Sequence, residues 1–259
     1  MFSVLILSTT LLYAGGTPGG CPSLRITPPI IQAGAFYNGA HVKIEGAVPS
    51  GSQAIVTVTG SDHEERYNRK ARFGPVWIGA GTVHISGAPS LFLRFSTLPV
   101  AAILSGHGIA EEHLDEDSVT ALLRIQPALR DSSDGAAIRA NYVALKKSSG
   151  TYSFGDGGVV LSAAADGCTP FTLQFEWPKQ APPATYQVRL YGIRDHSVQR
   201  TTDAVIPVVR AGFPAWLAGL AESRAPLYGM IAVLIGALAG FGIDFLATHI
   251  FGKKRLAAH

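Results

Sequence analysis

The sequence predicts a mainly β protein that ends in one membrane-spanning helix. Three observations carry this. Short segments with period-two alternation recur across Leu24–Thr97 and Tyr152–Val209, separated by turns rich in Gly, Pro and Ser. Helical patterning sits between these two regions. Leu227–Phe251 (LYGMIAVLIGALAGFGIDFLATHIF) is long enough to cross a bilayer, which takes about 20 apolar residues as a helix.

The elements follow in chain order. Residues 1–14 (MFSVLILSTTLLYA) combine a short apolar core with a small residue, Ala14, at the cleavage position, and read as an export signal. They lack the usual positive n-region, so a retained signal anchor is the alternative. Residues 15–23 form a Gly/Pro-rich, flexible N-terminus. Residues 24–105 hold the first strand series: His41–Glu45 and Ile55–Thr59 alternate, and Val76–Ile78, Thr82–Ile85 and Leu91–Thr97 follow. Residues 151–210 hold the second: Tyr152, Val159–Leu161, Phe171–Trp177, Thr185–Tyr191 and Val205–Val209. In TYQVRLY, Tyr186, Val188 and Leu190 take one face, and Gln187, Arg189 and Tyr191 the other. Asp195-His196 marks a hairpin turn, and Gly155–Gly158 reads as a turn between strands. Two such series predict two immunoglobulin-like β-sandwich domains.

Residues 106–150 read as a linker with short helices. Ser118 caps a helix over Val119–Gln126, which Pro127 stops. Asp134 caps a second helix with Ile138, Tyr142 and Leu145 at helical spacing, and Gly150 terminates it. Residues 211–225 predict a juxtamembrane amphipathic helix, with Trp216 and Leu220 at the membrane surface. The transmembrane helix is expected over 226–251. Residues 252–259 form a basic tail whose Lys253, Lys254 and Arg255 mark the cytoplasmic side.

Charge excludes one class of partner. Charged residues make up 15% of the chain and the net charge is only +3. Removing the tail cations and Asp244 leaves the remainder close to neutral, so there is no general attraction for nucleic acid. The two cysteines, Cys21 and Cys168, can pair in an oxidising compartment; two free thiols are the alternative.

Chemical motifs are sparse. His107, Glu111, Glu112 and His113 form the densest set of potential metal ligands, although their spacing is not HExxH. A solvated acidic loop explains the same residues. His63–Lys70 mixes both charge signs and reads as a solvated strand or hairpin face. Ser105 and Ser153 lack the GxSxG context, and neither a P-loop nor a dinucleotide fingerprint occurs. No cofactor is expected.

The span is more specific. Gly236 and Gly240 form a small-xxx-small pattern that admits a second helix at close range. Asp244 places a carboxylate in or near hydrocarbon, at roughly 2.5–3.5 kcal/mol on insertion scales. Either it faces a polar group on another helix, or it lies near the cytoplasmic interface beside His249 or Lys253.

Several local stretches resemble a family of transmembrane proteins described from alphaproteobacteria (Alph_Pro_TM). They are Arg69–Gly74 leading into Val76–Ile78, Ala88–Phe92, Ala184–Tyr191 and Pro226–Gly229. The layout of signal, β-rich ectodomain, single span and basic tail is similar as well. Pro75, Gly79 and the His107–Asp117 loop depart from the family pattern. The family has no established activity, so the resemblance supplies no catalytic residue. It implies an accessory role near a transporter such as a sulfite-exporter-like permease.

The expectation is therefore a single-pass protein of the bacterial inner membrane, with its N-terminal domains outside the cytoplasm and its C-terminus inside. It is read as a non-enzymatic accessory subunit that contacts lipid and another membrane protein. A metal- or small-solute-binding ectodomain and a hydrolase are the alternatives.

Overall fold

The computed structural model describes residues 21, 24–34, 37–126 and 132–251. The stretch read as an export signal, Pro127 and the basic tail lie outside the described residues. Two compact units divide the chain. One is built from residues up to Ile31 and from Asn38 to Val208, the other from Gln32–Tyr37 and from Val209 onward.

The strands are β1 (Arg25–Thr27), β2 (Ile31–Ala33), β3 (Ala40–Pro49), β4 (Gln53–Thr59), β5 (Glu65–Phe73), β6 (Val76–Ser86), β7 (Phe92–Ser96), β8 (Arg124–Gln126), β9 (Tyr152–Leu161), β10 (Cys168–Trp177), β11 (Thr185–Arg194) and β12 (Ser197–Arg210). The helices are α1 (Val100–Ile103), α2 (Gly106–Glu111), α3 (Glu116–Leu122), α4 (Ser132–Ser148), α5 (Phe213–Ser223) and α6 (Ala225–Phe251). Strand content dominates, as the alternation predicts.

Nine strands form one sheet in the order β1-β3-β10-β9-β7-β4-β11-β12-β2. This sheet has to curl. Laid flat, eight interstrand steps would hold β1 and β2 about 38 Å apart. Only residues 28–30 separate the two strands in the chain, and four Cα steps span at most about 14 Å.

The pairing corrects the two-sandwich expectation. Strands before and after the helical stretch are neighbours: Ile44 of β3 faces Leu173 of β10, and Val58 of β4 faces Val188 of β11. Strands from residues 24–105 and from 151–210 therefore share one sheet. The supposed linker is a crossover. β7 and β9 pair in parallel, Phe92 with Tyr152 and Leu93 with Ser153, and a parallel pair requires a long connection between its strands. α1 to α4 and β8 are that connection.

Three local expectations also change. Asp115, not Ser118, is the N-cap of α3; Ser118 sits three residues in and completes a capping box with it. Arg124–Gln126 leaves the helix to become β8, pairing with β6. Gly155–Gly158 lies within β9. There Gly157 and Gly158 adopt positive φ, and the strand switches from β7 to β10 as partner. By contrast, Asp195 and His196 both take positive φ in a two-residue hairpin, as the turn signal predicts.

The core lies on the sheet and beneath the crossover. Ile44, Val56, Val58, Leu173, Tyr186 and Val188 are buried. Phe92 and Tyr152 pack with Val119, Leu123, Tyr142 and Val143 of the crossover helices. Ile55 and Tyr191, cross-strand partners, are covered by Val100, Ile103, Leu104 and Leu114. The buried Arg94 fastens this layer. Its guanidinium donates to the carbonyls of Leu114 and Phe154 and to the Asp156 carboxylate, at 2.7, 2.7 and 2.9 Å. Cys21 and Cys168 form a disulfide that ties the N-terminal segment to the start of β10.

The second sheet, β5-β6-β8, carries a long hairpin. In the other unit, α5 carries Pro within its first turn, and α6 follows it with Pro226 near its start.

Candidate functional site

A polar cleft opens where α2 ends against the sheet. The period-two alternation of β11 turns Gln187, Arg189 and Tyr191 to one side, and β4 sets Thr59 opposite Gln187 and Thr57 opposite Arg189. α2 ends at Glu111, and the chain reverses through Glu112 and His113, which takes a left-handed φ of 49°. This turn brings Glu112 and His113 over the strand face. Together with Asp62, Phe92 and Val119 they line a cavity of about 260 Å³.

Its electrostatics are set by paired groups. Arg189 Nε donates to Asp203 Oδ1 at 2.7 Å across β11 and β12. Hydrogen bonds to Asp203 and then Tyr191 hold the Arg189 guanidinium above its ordinary pKa. Burial pushes the Tyr191 hydroxyl up to about 12, with Arg189 pulling down and Glu112 pushing up. The Asp62 carboxylate accepts from the Gly87 N–H at 3.0 Å. The cleft is thus a set of hydroxyls, an imidazole and charged groups suited to hydrogen-bonding a small polar solute.

The four candidate metal ligands are divided between two places. His107 and Glu111 lie one turn apart on the outer side of α2, Nε2 to Oε2 at 3.8 Å, with side chains 90% and 68% exposed. Glu112 and His113 belong to the cleft. Among the described residues, no three His, Cys, Asp or Glu groups come together as a metal site. The helix is the reason: residues 107 and 111 share its face, while the turn after Glu111 carries 112 and 113 away.

A second cavity, about 380 Å³, separates α4 from the β5–β6 hairpin. Tyr67, Val83, Ile138, Tyr142 and Leu145 line it. Ion pairs stand nearby: Arg69 with Asp134 at 3.0 Å, and Lys146 with Glu65.

The membrane helix offers a different surface. Ala225–Ala247 of α6 is long and apolar enough to span a bilayer, and none of it is buried within the chain. Gly236, Gly240 and Asp244 follow at intervals of four residues and so share one face. Among the described residues, a Cβ at Gly236 or Gly240 would meet no atom within 4 Å, so packing against them does not require glycine at either position. Asp244 is exposed on the same helix.

The sequence alternation had already sorted Gln187, Arg189 and Tyr191 onto one face. It gave no sign of the partners that α2 and β4 bring to them. Arg94 was hidden differently: one cation inside the strand FLRFS carries no signal that it is buried.

Residues 23–249 match the family model described as Putative transmembrane protein (Alph_Pro_TM). The chain belongs to this family. The match runs through the curled sheet, the crossover and nearly all of α6, so the arrangement described above is that of a family member throughout. No curated protein is similar enough to the chain to count as a match.

Proposed function

We propose that this Alph_Pro_TM protein is a non-enzymatic accessory subunit of a membrane complex, such as a permease. In this reading α6 holds it in the bacterial inner membrane, with the residues before α6 outside the cytoplasm. The observation that carries the proposal is the face of α6 bearing Gly236, Gly240 and Asp244. Small residues let a second helix approach, and a carboxylate at membrane depth gains most from a polar group on that helix. The Cys21–Cys168 disulfide supports the placement, because such bonds persist in oxidising compartments.

Detergent co-purification from native membranes tests this. A stoichiometric membrane partner is expected, and it should be lost with Gly236→Leu, Gly240→Leu or Asp244→Leu. Recovery of the monomer alone, unchanged by these substitutions, would refute the proposal.

The cleft around His113 and Arg189 favours a second reading, a domain that binds a small polar solute outside the cytoplasm. Thermal shift of the full chain against a panel of small organic acids and amines addresses it. A stabilising compound should lose its effect in Arg189→Ala; a panel that stabilises neither form counts against this reading.

A further inference from the structure

We infer that the distal half of the β5–β6 hairpin is a membrane-surface anchor that docks onto anionic phospholipid headgroups. β5 and β6 pair along their length, from Glu65 with Ile85 to Phe73 with Val76 at the Gly74-Pro75 tip. β8 covers β6 only at His84–Ser86. Among the described residues, the rest of the hairpin has no further strand beside it. Among the described residues, a Cβ at Gly74, Gly79 or Gly81 would meet no atom within 4 Å, so neighbouring elements leave this ribbon uncovered there. A lone two-stranded ribbon is marginal in water and gains from a surface to lie on.

Its composition says which surface. Val76 and Ile78 are 57% and 48% exposed, on a strand whose sequence places Trp77 between them. In the register Lys70 lies opposite Gly79 and Arg72 opposite Trp77, so these two exposed cations take the ribbon face that alternates with that of Val76 and Ile78, and Arg72 Nε donates to the Gly74 carbonyl at 3.0 Å. No Asp or Glu occurs between Glu65 and Glu111, so nothing in this stretch of sequence neutralises those cations. Aliphatic and aromatic residues flanked by Lys and Arg are the chemistry of interfacial anchors. The chain also supplies the occupant: α6 fixes it in a bilayer, so docking of the hairpin becomes intramolecular.

The test uses the full chain. Both native cysteines are in the disulfide, so Pro75→Cys adds the one reactive thiol for an environment-sensitive fluorophore. The labelled protein is reconstituted into phosphatidylcholine vesicles with or without about 30% phosphatidylglycerol, an anionic surface that attracts each nearby cation. The expected result is blue-shifted emission and quenching by spin-labelled lipid, strongest with the anionic lipid and weakened by salt. Removing cations with Lys70→Glu and Arg72→Glu should lower the docked-to-free ratio roughly fivefold or more per site. Aqueous emission without lipid quenching at either composition overturns the inference. So does quenching indifferent to both salt and charge reversal, or a tip that crosslinks in native membranes to an acidic protein instead of lipid. The salt series on the unreversed chain decides the matter even if the Glu variants fold poorly. Loss of the α6 partner would leave this result unchanged, so the two proposals fail separately.

Discussion

Glycine means opposite things in the curled sheet and in α6. A Cβ at Gly60, just after β4, would lie 2.1 Å from Ser90 Oγ, 3.0 Å from the Tyr186 ring and 3.1 Å from the Leu91 backbone nitrogen. Packing within the chain therefore demands glycine there. At Gly236 and Gly240 the same atom would meet nothing among the described residues. Large apolar residues divide in the same way. Trp177, Tyr186 and Phe171 are buried by their own chain, whereas Leu234, Phe241 and Phe245 are more than half exposed. The sheet buries its large apolar residues against one another; α6 leaves its own exposed along a length that can span a bilayer.

The strongest way to break this comparison is to cut the sheet's covalent tie. Replacing Cys21 and Cys168 with Ser releases a loop of sequence separation 147, worth about 5 kcal/mol in the chain-entropy model. Urea unfolding of the purified protein should show a loss of that order, and an unshifted midpoint would mean that the bridge constrains little. Arg94→Ala comes next. Asp156 keeps the Val100 N–H at 3.2 Å, but the Leu114 and Phe154 carbonyls lose this donor and the buried side chain leaves a void, which should cost about 3 kcal/mol, read as a lowered unfolding midpoint. Gly60→Ala should cost about 1–3 kcal/mol by overpacking, read in the same assay.

Acid sharpens the contrast further. Burial alone would raise the Asp115 carboxyl, but hydrogen bonds within its capping box with Ser118, helped by the Arg94 charge, hold it below the ordinary range. A depressed carboxylate contributes stability above its unfolded value of about 3.9 and loses it as pH falls through the folded value. Unfolding followed from about pH 5 downward should therefore show this contribution fading, with Asp115→Asn flattening that part of the profile. The smallest effect belongs to the span. Gly236→Ala and Gly240→Ala should leave the unfolding of the sheet unchanged, within about 0.5 kcal/mol. A large shift there would show that the helix packs on its own chain and would erase the comparison.

Much of this was legible locally. Alternation in Ile55–Thr59 and Thr185–Tyr191 gave β4 and β11 and their two faces, and Asp195-His196 gave a hairpin turn of two residues. The run from Leu227 gave the apolar helix. What failed was partnership. Val58 and Val188 lie 130 residues apart in sequence, and period-two alternation says which way a side chain points but not which strand lies beside it. A helical stretch between two strand series looks the same whether it links domains or crosses over between parallel neighbours. The candidate site divided along the same line: Arg189 and Tyr191 were assigned a face, but only the turn after α2 puts Glu112 and His113 above it.

The sequence by itself determined the residue-level periodicities, the apolar length of α6 and the family, because each is written in consecutive residues. Only the tertiary structure decided that one curled sheet takes strands from both halves, that Arg94 is a buried clamp, that the four acidic and imidazole candidates divide between surface and cleft, and that among the described residues no third strand covers the β5–β6 tip. Those outcomes depend on which distant segments exclude water from one another, and chain order does not encode that choice locally.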